Sequence, residues 1–455
     1  MNTKSTTGYA LIMHTKIVCV RIGLFTLLIC AIASTCFAQH ANLQAARNTA
    51  RWLNTVARQT TDGIVWPADP TDLKSVNTTL YSGTPGPILF FLELYRCTGE
   101  QEYLRAARAG ADSLMGSIDT TEETGLYEGL AGIGFTLGEA YLITRDSKYR
   151  WGVMRVVEQL RLRARPAGKG IEWNDTTDVI AGASGTGLFL LWAEERLHIG
   201  GAKQLAIQAG ERQLQLGRPE GKNGLKWMMN SENPREYPNF SHGTAGVAYF
   251  LASLYRSTHE RSFLRAAIAG ANYLLSIADS EGEYCFIYHD TDNKQLYYLS
   301  WCHGPAGTAR LFYRLYQVTQ DMKWFNWVKR SAQTLIKSGA PERVVVPGEW
   351  NNISVCCGVT GQAQFFLSMY QLLRDRQYLN LANKATALLL SKATQDLEGM
   401  RWVQAETRVK PDELLAQTGY MQGASGVGMW LLHLHEFAKS SRKPVITLPD
   451  NPFLY

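Results

Sequence analysis

Along this chain, apolar residues recur three and four positions apart in blocks that each open on a glycine. In the block from Gly243, residues Val247, Phe250, Leu251, Leu254 and Tyr255 fall on one helical face. The same opening, G-x-x-G, occurs seven times: SGTPGPILFFLELY from Ser82, EGLAGIGFTLGEAY from Glu128, AGASGTGLFLLW from Ala181, HGTAGVAYFLASLY from His242, HGPAGTARLFYRLY from His303, CGVTGQAQFFLSMY from Cys357 and QGASGVGMWLLHLH from Gln422. Behind the blocks come turns such as YRCTGEQEYLRAA and YRSTHERSFLRAA, in which a polar or acidic residue precedes an aromatic that starts a second, more amphipathic helix. The first glycines stand 46 to 65 residues apart. That spacing holds two helices and their connections, and a unit of such length repeated along a chain signals a repeat architecture. The pattern predicts an all-α protein, an α/α toroid with a double ring of seven inner and seven outer helices, formed as one domain over residues 39–455.

The glycines at the inner-helix starts are expected to let backbones crowd at one end of the barrel and to leave N–H groups free there. The residue before each first glycine then faces a shared mouth. That register holds Ser82, Glu128, Ala181, His242, His303, Cys357 and Gln422, with Cys302 and Cys356 beside it. Helix packing alone explains a G-x-x-G, but it does not explain metal-capable side chains at the fourth, fifth and sixth repeats.

Composition narrows the class. Of 455 residues, 45% are hydrophobic and 19% charged, so the chain can bury a large core. The formal charge of +6 includes Lys4, Lys16 and Arg21 of an N-terminal leader that has no acidic residue. The remainder is only weakly basic, which excludes a nucleic-acid binder. Residues 1–38 read as a secretory signal: a basic start, the apolar run from Ile22 to Ser34, and a small-residue exit with cleavage after Ala38. The run is shorter than the roughly 20 residues a membrane span needs. A periplasmic or secreted protein without stable membrane insertion is expected, and it is taken as a monomer.

Eight cysteines become five once the leader is removed: Cys97, Cys285, Cys302, Cys356 and Cys357. An odd set crowded toward the C-terminal half suits ligands better than a disulfide framework. The adjacent pair in ISVCCGVTG could be a vicinal disulfide, an accident of an apolar stretch, or two thiolate ligands.

The motifs FSHGTAG, SWCHGPAG and SVCCGVTG, in that order, resemble the lanthionine synthetase C-like (LanC-like) family, with the likeness running from about Leu43 to Ala438. The resemblance implies one zinc ion held by Cys302, Cys356 and Cys357, the all-thiolate variant of the family's ligand set. It implies addition of a peptide cysteine to dehydroalanine or dehydrobutyrine, closing a thioether ring, on a cysteine-containing and possibly dehydrated peptide. His242 matches the family's motif histidine and is expected to be the general acid. Asp178 matches its aspartate, an orienting partner or a helix cap. His303 stands where relatives carry an aromatic, as a second acid or a supporting group. Relatives that cyclise peptides place an arginine shortly before the W-C motif, where this chain has Tyr297 and Tyr298.

Two other functions compete. An exported glycosidase or polysaccharide lyase on the same toroid would use two carboxylates roughly 5 to 10 Å apart, drawn from Glu128, Asp178 and Glu349, and would use the 12 tryptophans and 21 tyrosines for sugar stacking. A non-catalytic zinc-thiolate module that binds thiol peptides is the other.

Overall fold

The computed structural model describes residues 40–280, 282–291, 296–342, 349–439 and 445–453. The expected leader, residues 1–38 with its cleavage after Ala38, lies outside them. The outer ring comprises α1 (40–56), α3 (Gln101–Ser117), α5 (Ser147–Arg163), α7 (Ala202–Leu216), α9 (Arg261–Ile277), α11 (Met322–Lys337) and α13 (Arg376–Ser391). The inner ring comprises α2 (Pro85–Thr98), α4 (Leu130–Thr144), α6 (Ala183–Leu197), α8 (Thr244–Thr258), α10 (Pro305–Thr319), α12 (Val359–Leu373) and α14 (Ala424–Phe437). Inner helix α14 packs against α2 and closes the ring. The expected α/α toroid is therefore what forms.

The two rings differ because their sequences differ. In α4 every residue from Leu130 to Ala140 is buried, as a helix packed on all sides requires. In α11 the largest buried residues, Trp324, Val328 and Leu335, make a single stripe. Inner and outer helices join through a recurring turn. Arg145, His259, Gln320 and Arg374 adopt the left-handed conformation, φ between 58° and 60°, and each returns its N–H to a tyrosine carbonyl four residues back. The next acidic residue caps the outer helix, Asp146 to the N–H of Lys148, Asp321 to Lys323 and Asp375 to Gln377.

Antiparallel hairpins follow four outer helices: β1 (Arg58–Gln59) with β2 (Ile64–Val65), β3 (Arg165–Ala167) with β4 (Gly170–Glu172), β5 (Arg218–Glu220) with β6 (Gly224–Lys226), and, after the parallel pair β7 (Tyr297–Tyr298) and β8 (Glu349–Trp350), β9 (Thr394–Asp396) with β10 (Gly399–Arg401). After each hairpin a buried tryptophan turns back and donates its indole N–H to a carbonyl near the end of the preceding outer helix: Trp66 to Leu53 at 2.9 Å, Trp173 to Leu160 at 2.7 Å, Trp227 to Gln213 at 2.8 Å and Trp402 to Leu389 at 2.8 Å. Carbonyls at the helix ends thereby gain a second donor, from side chains that also fill the core.

At the mouth, the residues two before each first glycine link into a closed belt of backbone hydrogen bonds. Tyr81 N–H reaches Tyr127 O, Tyr127 reaches Ile180, Val179 reaches Ser241, Ser241 reaches Cys302, Cys302 reaches Cys356, Cys356 reaches Met421 and Met421 returns to Tyr81, all between 2.9 and 3.1 Å. The expectation of free N–H groups at the inner-helix starts is corrected here. The loop before each helix folds back over it, so that Ala183, Thr244, Val359 and Ala424 donate to Thr176, Tyr237, Asn352 and Gln417. Buried polar groups are costly unless paired, and the loops pair them.

The C-terminal segment 445–453 fills the lumen below the belt. Asp450, fully buried, accepts through Oδ2 from Tyr127 Oη at 3.1 Å, Trp301 Nε1 at 2.9 Å and Arg310 at 2.9 Å. Beyond it, at the end away from the mouth, lies a cavity of about 630 Å³ lined by Arg96, Glu139, Arg196, Arg314 and Phe453 among others. Burial raises the Glu139 carboxyl to about 7, against the opposing charge of Arg196.

Two stability outcomes follow. Asp450→Ala takes the carboxylate from Arg310, Tyr127 and Trp301 in the core and should cost about 3–5 kcal/mol in chemical denaturation. Glu139 binds its proton more tightly folded than unfolded, so stability falls as pH rises from the ordinary carboxylate range through about 7. Glu139→Gln should match the wild type at pH 4 and exceed it at pH 8, by up to about 3 kcal/mol, and equal pH profiles would refute this.

Candidate metal centre

Cys302 and the pair Cys356–Cys357 sit in the loops that lead into α10 and α12. These loops lie flat on their own helices because of glycine. A Cβ on Gly307 would stand 1.9 Å from Trp301 O, and one on Gly361 would stand 2.1 Å from Ser300 Oγ and 2.3 Å from Val355 O. The second loop is also pinned by an Asx turn, in which Asn352 Oδ1 accepts from Ser354 N–H at 3.0 Å while Ser354 Oγ accepts from Cys357 N–H at 3.1 Å. Trp301 and Cys302 point apart, the indole down to Asp450 and the thiol into the mouth.

The three sulfurs converge. Cys302 Sγ lies 3.3 Å from Cys357 Sγ, and Cys357 Sγ lies 3.4 Å from Cys356 Sγ. All three residues are buried and all are free thiols, which removes the vicinal-disulfide alternative. Their ligand atoms lie within 4.8 Å of one another, and they are the only such group of metal-capable side chains among the described residues. Thiolates around tetrahedral zinc, with Zn–S of about 2.3 Å, stand about 3.8 Å apart. The donor set suits a soft, four-coordinate ion with one position left for a ligand from outside. Of the three, Cys356 is drawn toward the thiolate: burial opposes this, but hydrogen bonds from Cys302, Cys357 and Tyr81 and the charge of His242 outweigh it.

His242, in the same mouth, is bonded through Nδ1 to Asp178 Oδ2 at 2.6 Å. Asp178 is at once partner and loop anchor rather than a cap of α6, since its Oδ1 accepts from the N–H groups of Ala181 and Gly182, in the turn ahead of that helix, at 2.9 Å each. Burial pulls the His242 imidazolium down, yet the bond to Asp178 and the charges of Asp178, Cys356 and Glu128 raise it above its ordinary value. Solvent still reaches 31% of its side chain. His303 behaves oppositely: burial and the neighbouring His289 and His242 push it well down, leaving a neutral ring 3.5 Å from Ser241 Oγ. Its ring packs edge to face against His289, centroids 4.1 Å apart.

The cavity these residues line measures about 230 Å³. Of the mouth register, His242, His303, Cys357 and Gln422 line it, while Ser82, Glu128 and Ala181 do not; Ser82 is bonded to Asn77 and Thr79. Among the lining residues that escaped the sequence reading are Tyr81, Ser241 and Arg408. Tyr81 and Ser241 hold the same place in their repeats as Cys302 and Cys356, two before the glycine, so extending that register by one position reveals them. Arg408 comes from the loop between β11 (Gln404–Ala405) and β12 (Leu414–Leu415) and bonds Tyr298. An arginine thus reaches the site from a different loop than the W-C motif.

Fold and site together define a helical toroid with a buried cluster of three cysteine thiols at its mouth. The chain belongs to the lanthionine synthetase C-like protein family, which it matches over residues 74–447. It is similar in fold to nisin cyclase, at 18% identity over 80% of this chain and 89% of that one, with a TM-score of 0.58. Looser similarities are to a D-mannose isomerase, at 14% identity over 64% and 84% of the two chains and a TM-score of 0.46, and to an α-1,6-mannanase from Salegentibacter sp. HEL1_6, at 12% identity over 88% and 100% and a TM-score of 0.45.

Metal content checks the centre directly. Mature protein should carry about one zinc per chain, and Cys302→Ala, Cys356→Ala or Cys357→Ala should each lose most of it by elemental analysis. Cys97→Ala and Cys285→Ala, which replace thiols outside the cluster, should retain it.

Proposed function

We propose that this protein is a zinc-dependent peptide cyclase that adds a cysteine thiol across dehydroalanine or dehydrobutyrine of the same peptide to form a thioether. The observation that carries this reading is the placing of three buried thiols and of His242, bonded to the buried Asp178 behind it, around one cavity of about 230 Å³. Zinc bound by Cys302, Cys356 and Cys357 would supply a Lewis acid that keeps an incoming thiol ionised yet, with three thiolate neighbours, electron-rich.

The chain's own residues do the rest. Addition forms a C–S bond at the β-carbon of the dehydro residue and leaves negative charge at the α-carbon, which must take a proton. Asp178 occupies His242 Nδ1, so Nε2 is the nitrogen left to deliver that proton. His303, held neutral, is not an acid at neutral pH and serves as packing beside the ligands. The cavity holds thiol and acceptor together, turning a bimolecular encounter into an intramolecular one. With the leader removed after Ala38, the reaction would take place in the periplasm or outside the cell.

Two observations favour the cyclase over the glycosidase reading. Asp178 is engaged by His242 and two backbone N–H groups, and Trp66, Trp173, Trp227 and Trp402 are buried against outer-helix ends rather than set out for sugars. The purely binding module would share the metal centre but would have no use for the raised His242.

The test uses zinc-loaded mature protein and a dehydrated, cysteine-bearing peptide, followed by alkylation of the remaining thiols, because cyclisation conserves mass and removes an alkylation site. His242→Asn should keep its metal and slow ring closure by roughly 10² to 10⁴. The rate should fall as pH rises through the raised His242 value. Asp178→Asn preserves the turn ahead of α6 but removes the charge, and should move that fall to lower pH. Full alkylation of every peptide tried, or loss of zinc in His242→Asn, would refute the assignment.

A further inference from the structure

Two residues that the chemistry above leaves unused reach the sulfurs from the seam where the ring closes. Tyr81, in the belt segment of the first repeat, donates its hydroxyl to Cys356 Sγ at 3.4 Å. Gln422, in the last repeat, donates Nε2 to Tyr81 Oη at 2.9 Å and stands 4.0 Å from Cys357 Sγ. Gln422 is itself fixed, its Oε1 accepting from Asn352 Nδ2 at 3.3 Å and its carbonyl from Gln404 Nε2 at 2.6 Å. A tyrosine hydroxyl has one proton to give. With the amide of Gln422 occupying its oxygen, that proton is aimed at the sulfur.

The need for such an arrangement lies in the reaction. A dehydroamino acid is an electrophile, and the site brings it against three nucleophilic ligand sulfurs as well as the substrate thiol. Attack by a ligand sulfur would form the same C–S bond at the β-carbon, with protonation at the α-carbon, but would leave the enzyme alkylated and its metal lost. A hydrogen bond to a thiolate withdraws electron density from it, and more strongly in a buried site than in water. Groups that hydrogen-bond metal ligands commonly tune them in this way.

Resting on the zinc reading above, we propose that Tyr81 and Gln422 form a protective clamp on the ligand thiolates, lowering the nucleophilicity of Cys356 so that the incoming substrate thiol reacts in its place. Both are positioning residues that act through the sulfur they bond. The clamp joins the first and last repeats, so it exists only in the closed ring.

The experiment treats zinc-loaded, full-length mature protein with excess iodoacetamide, following zinc release with a chromogenic chelator and the alkylated residue by peptide mass mapping. Tyr81→Phe should bind the same amount of zinc and lose it about tenfold faster, the scale of one charge-assisted hydrogen bond, with the label first on Cys356. Gln422→Ala, which leaves the Tyr81 hydroxyl unaimed, should be accelerated less. Tyr237→Phe, at the same mouth but with no sulfur contact, should match the wild type. In cobalt-substituted protein the sulfur-to-metal charge-transfer band of Tyr81→Phe should move to lower energy, a shift that a purely structural role would not produce. Unchanged release rate and band with metal still held would overturn the clamp alone. A wild-type protein that holds neither zinc nor cobalt would overturn the metal reading beneath it.

Discussion

The closed belt of backbone hydrogen bonds at the mouth is the constraint on which the rest depends. Each repeat contributes one short extended segment, and each segment is bonded to the next, from Tyr81 through Cys302 and Cys356 to Met421 and back to Tyr81. A ring admits no slack: moving one segment breaks two bonds whose buried partners have no water to replace them. Cys302 and Cys356 of the thiol cluster are members of this ring, and Cys357 follows directly on Cys356. Their spacing is therefore set by seven repeats together rather than by two loops.

The belt also divides the molecule into two polar regions of different kind. Above it the sulfurs and His242 face a small open cavity, with Asp178 buried behind the histidine. Below it Asp450 ties Tyr127, Trp301 and Arg310 together inside the lumen. Because Trp301 and Cys302 are consecutive and point apart, the C-terminal segment becomes the floor on which the thiol cluster rests. A buried carboxylate there is tolerable only because three donors and an arginine charge meet it. The same economy recurs at Asp178, where one carboxylate anchors the turn ahead of helix α6 and bonds His242.

Tryptophan content, which by composition alone pointed toward sugar binding, belongs in good part to the scaffold. Tryptophans after the hairpins close the ends of outer helices, and glycines let each entry loop lie against its own inner helix. The side chains available for chemistry are few: cysteine, histidine and tyrosine in the two positions before the first glycine of a repeat.

From sequence alone the helical period, the seven G-x-x-G openings and their spacing determined the toroid, since a repeat that cannot bury its face alone must stack on its neighbours. The register before each glycine and the family motifs also brought Cys302, Cys356, Cys357, His242 and Asp178 to one mouth. What only the tertiary structure decided is how residues distant in the chain meet. Closure puts Tyr81 of the first repeat beside Gln422 of the last and on Cys356, brings Arg408 in from a loop no motif marks, and carries Asp450 beneath Trp301. It also paired the helix N–H groups expected to be free and made His303 a neutral ring, because burial and partner geometry depend on the whole ring and leave no periodic trace in the chain.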